Sequence, residues 1–242
     1  MRLALRPKDV AFALVGMALG LGTTAQAQTN PVVVELYTSQ GCAACPPADI
    51  VLEELAARED VIALGLHVDY WDYIGWADSF GKAAFSERQQ TYARNNGRAS
   101  VYTPQMIIGG RDEVKGSATM QVMGLIQDHL AQAGHAAQIS VSLTPAGQGR
   151  MRIDAHSDVP LKPPVDIQVV RYLDTAEVDI TGGENEGRKI TYHNIVTTWD
   201  VVAQWDGLEP FVQEVALHDA TPFVVLIQEH AQGAILAAAR QR

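Results

Sequence analysis

The only two cysteines of this 242-residue chain stand three residues apart, in Gly41-Cys42-Ala43-Ala44-Cys45-Pro46. Random placement of two cysteines gives that spacing about 1% of the time. Two thiols one helical turn apart can close into a disulfide and reopen, so the chemistry on offer is thiol–disulfide exchange. Cys42 is expected at a helix start, where free N–H groups and the helix dipole favour a thiolate, and nearer solvent. It is the expected attacking sulfur, and Cys45, one turn inward, the resolving one. The residues leave two other readings open. As a staple the pair closes a four-residue loop and removes little chain entropy, on the order of 2 kcal/mol. As a metal site it needs more ligands, and His67 and His193 show no ligand spacing to it. No metal is assigned.

The flanking pattern says how such a pair would be held. Pro31 to Tyr37 is a β-branched apolar run that suits a buried strand. Cys42 to about Arg58 reads as a helix with Ile50, Val51, Leu52 and Leu55 on its apolar face. Val61 to Val68 reads as a second buried strand. Strand, helix and strand in this length make a βαβ unit with a parallel pair. Asp69 to Ser100 is aromatic and polar and predicts two inserted helices, with Phe85 and Tyr92 on one face. Tyr102 to Ile108 is a third strand, Gly109 to Asp112 a hairpin turn, and Glu113 to Gly116 an edge strand. Ser117 opens a helix to about Ala133 with Met120, Met123, Ile126 and Leu130 as its stripe. From Ile139 onward come short apolar runs at 139–143, 150–155, 165–172, 188–205, 211–217 and 222–228, punctuated by Gly and Pro. They predict an all-β, sandwich-like second half.

Composition narrows the setting. Lys and Arg total 18 against 28 Asp and Glu, a formal charge of −10, which disfavours nucleic acid and anionic lipid as partners. Arg2, Arg6 and Lys8 precede an apolar run from Val10 to about Leu21 and an Ala25-Gln26-Ala27 site. This reads as a secretory signal over residues 1–27, too short to be a membrane span. A unit with the cysteine pair over 28–136 and a β unit over 137–242 would remain. The expected location is the periplasm or the cell exterior, which are oxidising. No phosphate-binding loop, dinucleotide fingerprint or Ser/His/Asp arrangement is present, and no cofactor is expected.

The order of strand, C-x-x-C, helix, strand, helical insertion, Thr103-Pro104, hairpin and helix resembles thioredoxin-like oxidoreductases over residues 31 to about 134. The fuller run Cys42-Ala-Ala-Cys-Pro-Pro-Ala-Asp49, with His67-Val-Asp-Tyr-Trp-Asp72 and Gly183-Glu-Asn-x-Gly-Arg188, is similar to a narrower family of secreted bacterial thioredoxin-like proteins known only as a domain of unknown function. The resemblance implies a mixed central sheet flanked by helices. It implies a cis Thr103–Pro104 peptide beside the cysteines, with the Thr103 backbone pairing to a substrate strand. It places Glu35 near the superfamily's buried acid, where it would take the proton of Cys45. The implied partners are a protein or peptide thiol or disulfide and a separate redox partner.

The chain also departs from that pattern. Gly41 precedes the pair, and Ala43-Ala44 lies where strong periplasmic oxidants carry a His that stabilises the thiolate. A potential between the reductive and strongly oxidising extremes is expected. Pro46 and Pro47 remove two donors, and Pro46 biases Cys45 away from helical geometry. Trp71 either lines a peptide groove or packs in the core. Residues 182–188 are a turn between strands, unless the second half covers the cysteines. In that case Glu184, Asn185, Arg188 or His193 would meet substrate. His67 reads as a satisfied core histidine. The rival to an oxidoreductase is a non-catalytic thioredoxin-like module that presents a peptide or a metal ion.

Overall fold

A computed structural model describes residues 30–136, 138–217 and 221–241. The expected signal segment lies outside the described residues. The first half runs β1 (Val32–Thr38), α1 (Pro46–Ala56), β2 (Val61–His67), α2 (Ala83–Asn95), β3 (Gln105–Ile108), β4 (Asp112–Lys115) and α3 (Thr119–Ala136). β1 and β2 pair in parallel, Val32 opposite Val61 through Thr38 opposite His67. β3 pairs antiparallel to β1 and β4 to β3, which makes the mixed sheet of a thioredoxin-like unit.

The alternation of β1 decides what each face receives. Val34 and Leu36 point to α1 and α3, where Ala48, Val51, Leu52, Val122 and Ile126 close one core. Val33 and Tyr37 point to α2, where Phe85 and Tyr92 close the other. Phe85 and Tyr92 share a face as expected. Two assignments of apolar stripe are corrected. Met120 is exposed at the start of α3, and Val122 takes the buried place beside Ile126. Ile50 is exposed on α1, and the buried positions are Ala48, Asp49, Val51, Leu52 and Leu55. The insertion holds a single α-helix, α2, preceded by a 3-10 turn at Asp72–Ile74, because Gly75 and Gly81 interrupt the helical pattern.

The second half supplies β5 (Ile139–Gly147), β6 (Arg150–Ser157), β7 (Val165–Asp179), β8 (Lys189–Trp205), β9 (Phe211–Ala216), β10 (Phe223–Glu229) and β11 (Ile235–Gln241). β5, β6 and β9 form a separate three-stranded antiparallel sheet. The other four strands extend the main sheet to eight, in the order β11-β10-β7-β8-β2-β1-β3-β4. The seam is β8 beside β2, with Ile195 opposite Gly65. The small sheet lays Val141, Met151, Ile153 and Ala155 on Ile167, Val169, Phe223 and Val225 of the large one. The sandwich therefore has one layer of its own and one layer that continues the first half's sheet. No helix among the described residues is long and apolar enough to cross a membrane.

β7 and β8 are the longest strands, 15 and 17 residues, and pair along their whole length. Their far end carries the turn 180–188 back to the cysteine end of the sheet.

Candidate active site

The cysteines sit where β1 hands over to α1. Thr38 ends the strand, and Ser39, Gln40 and Gly41 form a buried turn in which the Cys42 N–H donates to the Ser39 carbonyl at 3.1 Å. Cys42 and Cys45 are joined as a disulfide, their Cα atoms 5.4 Å apart. Cys45 is the residue before α1 and has helical φ and ψ, −79° and −37°. The expected irregularity is absent. Pro46 and Pro47 occupy the first helical positions, whose N–H groups have no intrahelical partner in any helix. The Cys45 carbonyl accepts from Ala48 N–H (2.8 Å) and Asp49 N–H (3.2 Å), so the helix is regular from its first turn.

Cys42 is not open to solvent, contrary to the sequence reading. It is 1% exposed and Cys45 is 0% exposed, whereas Ala43 and Ala44 between them are exposed. The cover comes from the turn between β7 and β8. Asn185, itself buried, donates through Nδ2 to the carbonyls of Gln40 and Cys42, both at 2.9 Å. Glu184 accepts from the Ala43 N–H at 3.4 Å. That turn is pressed onto the insertion. A Cβ on Gly182 would stand 2.8 Å from the Gly75 carbonyl, and Gly183 combines φ +72° with a Cβ position 3.1 Å from Trp76 Cβ. Glycine alone fits both.

The insertion closes another side. The Trp71 indole N–H donates to Thr103 Oγ1 at 2.7 Å, and Trp71 Cβ lies 3.4 Å from a Cβ position on Gly41. Trp71 thus bridges the cysteine turn to the Thr103–Pro104 segment. The Thr103–Pro104 peptide is cis. Pro104 and Ala48 of α1 both flank Gly116, whose added Cβ would meet them at 3.2 and 3.0 Å. Trp71 and Thr103 thus meet beside the cysteine turn, and Pro104 lies with Ala48 of α1 around Gly116. Arg188 stands outside this group. It is exposed, and its backbone N–H closes the turn on the Asn185 carbonyl.

Glu35 does not serve Cys45. It lies between Val33 and Tyr37 on the α2 face, whereas Cys45 leads into α1 on the other face. Its carboxylate accepts from Arg88 Nε (2.8 Å) and Nη2 (2.9 Å), from Tyr92 Oη (2.8 Å) and from Tyr37 Oη (2.9 Å). The physical cause is strand parity: an odd position in β1 points away from α1. Burial and the Glu35 charge push the Tyr37 hydroxyl well up. Burial disfavours the Arg88 cation, but the Glu35 charge outweighs it and holds the guanidinium firmly protonated.

The acid on the cysteine face is Asp49, a position given no role by the sequence reading. It is four residues beyond Cys45, so helical geometry puts the two side chains on one face. Thr38 Oγ1 donates to its Oδ1 at 2.8 Å. Its Oδ2 is buried with no donor among the described residues. Burial pushes its pKa up to about 7, against the lowering effect of His67 and of the Thr38 hydroxyl. Behind it lies a second buried acid, Asp78. His67 Nδ1 and Asp78 Oδ2 are 2.7 Å apart, and Asp78 also accepts from the N–H groups of Gln40 (2.8 Å) and Phe80 (2.9 Å). Burial disfavours the Asp78 carboxylate, but the His67 contact and these donors prevail and hold its pKa below the ordinary value. The Tyr192 ring meets the His67 ring edge-on, centroids 4.8 Å apart. His67 is thus a core histidine with a partner. No cluster of three or more His, Cys, Asp or Glu able to hold a metal ion occurs among the described residues.

Residues 33–228 match the family described as "Protein of unknown function (DUF1223)". The chain belongs to that family. A protein from Agrobacterium tumefaciens solved by X-ray crystallography is 34% identical with a TM-score of 0.75, across 88% of this chain and 95% of the other. HBP35 of Porphyromonas gingivalis shares 13% identity at a TM-score of 0.63, across 88% of this chain and 75% of the other, which is a likeness of fold alone. No curated protein matches the chain. The DUF1223 span includes the cysteine pair, Asp49, His67, Asp78, the Thr103–Pro104 segment and Asn185. The matched span therefore runs through both halves of the chain, and its cysteine pair, joined as a disulfide in a thioredoxin-like fold, supports redox activity.

Proposed function

We propose that this DUF1223 protein is a thiol–disulfide oxidoreductase that exchanges disulfides with protein or peptide thiols in the periplasm or outside the cell. The observation that carries the reading is the closed Cys42–Cys45 disulfide between the end of β1 and the start of α1, with the Thr103–Pro104 segment packed beside that helix. Cys42 is the sulfur that meets substrate, because its neighbours Ala43 and Ala44 are the exposed part of the turn. Cys45 resolves the mixed disulfide from below. Thr103 and Trp71 form the adjoining wall, and Arg188 stands at the rim. The chemistry needs no bound cofactor, since the cysteine pair itself carries the two electrons as a dithiol and gives them up when it closes to the disulfide. The basic and apolar start of the chain, with Ala25-Gln26-Ala27, supports export.

Trapping tests the reading. Cys45→Ser leaves the attacking sulfur without its resolving partner, so a mixed disulfide with substrate persists. Cys42→Ser removes the attacker. Cells expressing each variant are quenched with acid, their thiols are blocked, and extracts are compared on non-reducing gels. Reducible high-mass bands with Cys45→Ser but not with Cys42→Ser are expected. If neither variant forms such bands, and the wild type exchanges with no model disulfide, the non-catalytic binding module becomes the better account.

A further inference from the structure

We propose that Asp49 is the base that takes the proton of Cys45 when this thiol attacks the mixed disulfide on Cys42. The inference rests on the exchange chemistry proposed above and adds a residue to it.

Resolution requires the Cys45 thiol to become a thiolate. Cys45 is fully buried, so bulk water does not reach the proton. A carboxylate one turn along the same helix is the nearest kind of acceptor that the backbone can place there, and the Asp49 N–H to Cys45 carbonyl bond shows that the turn is regular. The two oxygens of Asp49 differ. Oδ1 is held by Thr38, and Oδ2 has no described donor. A buried carboxylate oxygen without a donor is costly in a finished fold and marks a group held for another purpose. In the oxidised protein Cys45 carries no proton to give. In the reduced protein its S–H is the donor that Oδ2 lacks.

The step balances. The Cys45 sulfur forms a bond to the Cys42 sulfur, and the bond from Cys42 to the substrate sulfur breaks. The electron pair leaves with the substrate thiolate, and the Cys45 proton ends on Asp49. A base whose pKa lies near the working pH is ionised often enough to accept and basic enough to matter, and burial brings Asp49 to about 7. The groups that set its titration come from each element around it. They are Thr38 of β1, His67 of β2 and Asp78 of the insertion, while Tyr192 of β8 faces Asp49 as a hydroxyl that burial and the Asp49 charge push up. On its own helix, Glu53 one turn further on pairs with His193 at 3.6 Å.

The test is a single turnover of the reduced full chain with oxidised glutathione between pH 5 and 9, quenched in acid and read by mass spectrometry. Attack by Cys42 gives a glutathione adduct, and attack by Cys45 removes it. Asp49→Asn is expected to leave adduct formation near the wild-type rate and to slow its resolution on the order of 100-fold near neutral pH. The adduct then accumulates, and the wild-type inflection near pH 7 is lost. Thr38→Val, which removes the one donor to Asp49, is expected to move that inflection to higher pH, and it keeps the test open if Asp49→Asn does not fold. Resolution by Asp49→Asn at the wild-type rate and with the wild-type pH profile overturns the role of Asp49 alone, as does an unmoved inflection in Thr38→Val. A wild-type chain that forms no adduct and loses no thiol overturns the exchange reading, and the role of Asp49 with it.

Discussion

Two carboxylic acids are buried on opposite faces of the same sheet, and they are held in opposite ways. On the α2 face, Glu35 accepts four hydrogen bonds, two of them from the guanidinium of Arg88. On the α1 face, Asp49 has one donor, and its second oxygen has none among the described residues. Burial alone does not prepare an acid to move a proton. Both oxygens of Glu35 are filled by partners, and Arg88 grips them through two nitrogens. Asp49 is left short of partners, so its two protonation states lie close in free energy near neutral pH. The first arrangement ties α2 to the sheet, and the second leaves a group free to respond to chemistry.

Removing the charge of Glu35 should have the largest effect on stability. Glu35→Gln leaves the buried Arg88 cation without its carboxylate, at a cost of about 3–5 kcal/mol in urea unfolding. The exchange rate of the remaining folded protein should hold. Lost exchange at unchanged stability would reverse the roles given to the two faces.

Asp49→Asn should act on stability in the other direction. The carboxyl is raised to about 7 in the fold, against about 3.9 in an unfolded chain. Between those values the folded protein binds the proton more tightly, so stability falls as pH rises from about 4 through 7. The asparagine variant lacks that slope. It should be more stable than wild type at pH 8, by roughly 2–4 kcal/mol, and show no such gain near pH 4. Melting curves across that window check the sign.

Asp78 should show the reverse dependence, because its folded pKa is lowered. Its contribution is present above about pH 4 and is lost as pH falls through the folded value. Asp78→Asn should cost about 1–3 kcal/mol at neutral pH and little in strong acid. An unchanged acid limb in its unfolding profile would count against the His67 pairing.

The smallest expected change in stability is that of Asn185→Ala, about 1–2 kcal/mol for two hydrogen bonds to buried carbonyls. Its clearer signature is chemical: the reduced Cys42 thiol should alkylate faster than in wild type, because the cover no longer holds. Equal alkylation rates would mean that the turn 182–188 does not guard the pair.

The residue pattern carries the first half of the fold well. Val32 to Tyr37 and Val61 to His67 are strands because β-branched and apolar residues fill most of their positions, and such runs fit a sheet covered on both faces. The pair's position between strand and helix was equally legible. The side that Glu35 faces turned on strand parity. The loop from Thr38 to Gly41 hid that parity, since its length does not reveal which face the chain enters next. Asp49 carried a readable signal, a carboxylate four residues after a cysteine in a helix, but an acid near a helix start is also a common dipole partner. β11 was missed because Ile235 to Gln241 is rich in alanine, a helix former that here packs as a strand beside β10. Parallel contact between β8 and β2 joins residues some 130 positions apart, and no local pattern reports it.

The hold of Asn185 on the carbonyls of Gln40 and Cys42 makes the far turn of the second half a party to the redox equilibrium. Whatever grips the oxidised loop more tightly than the reduced one lowers the free energy of the disulfide by that difference. By thermodynamic reciprocity, reducing the disulfide then loosens the grip by the same amount. The β7–β8 ribbon is long and continuous, so a load or a partner acting near the small sheet has a path to the cysteine loop that ends in the two Asn185 hydrogen bonds. Cut from that ribbon, the same two cysteines would form a couple with a different potential.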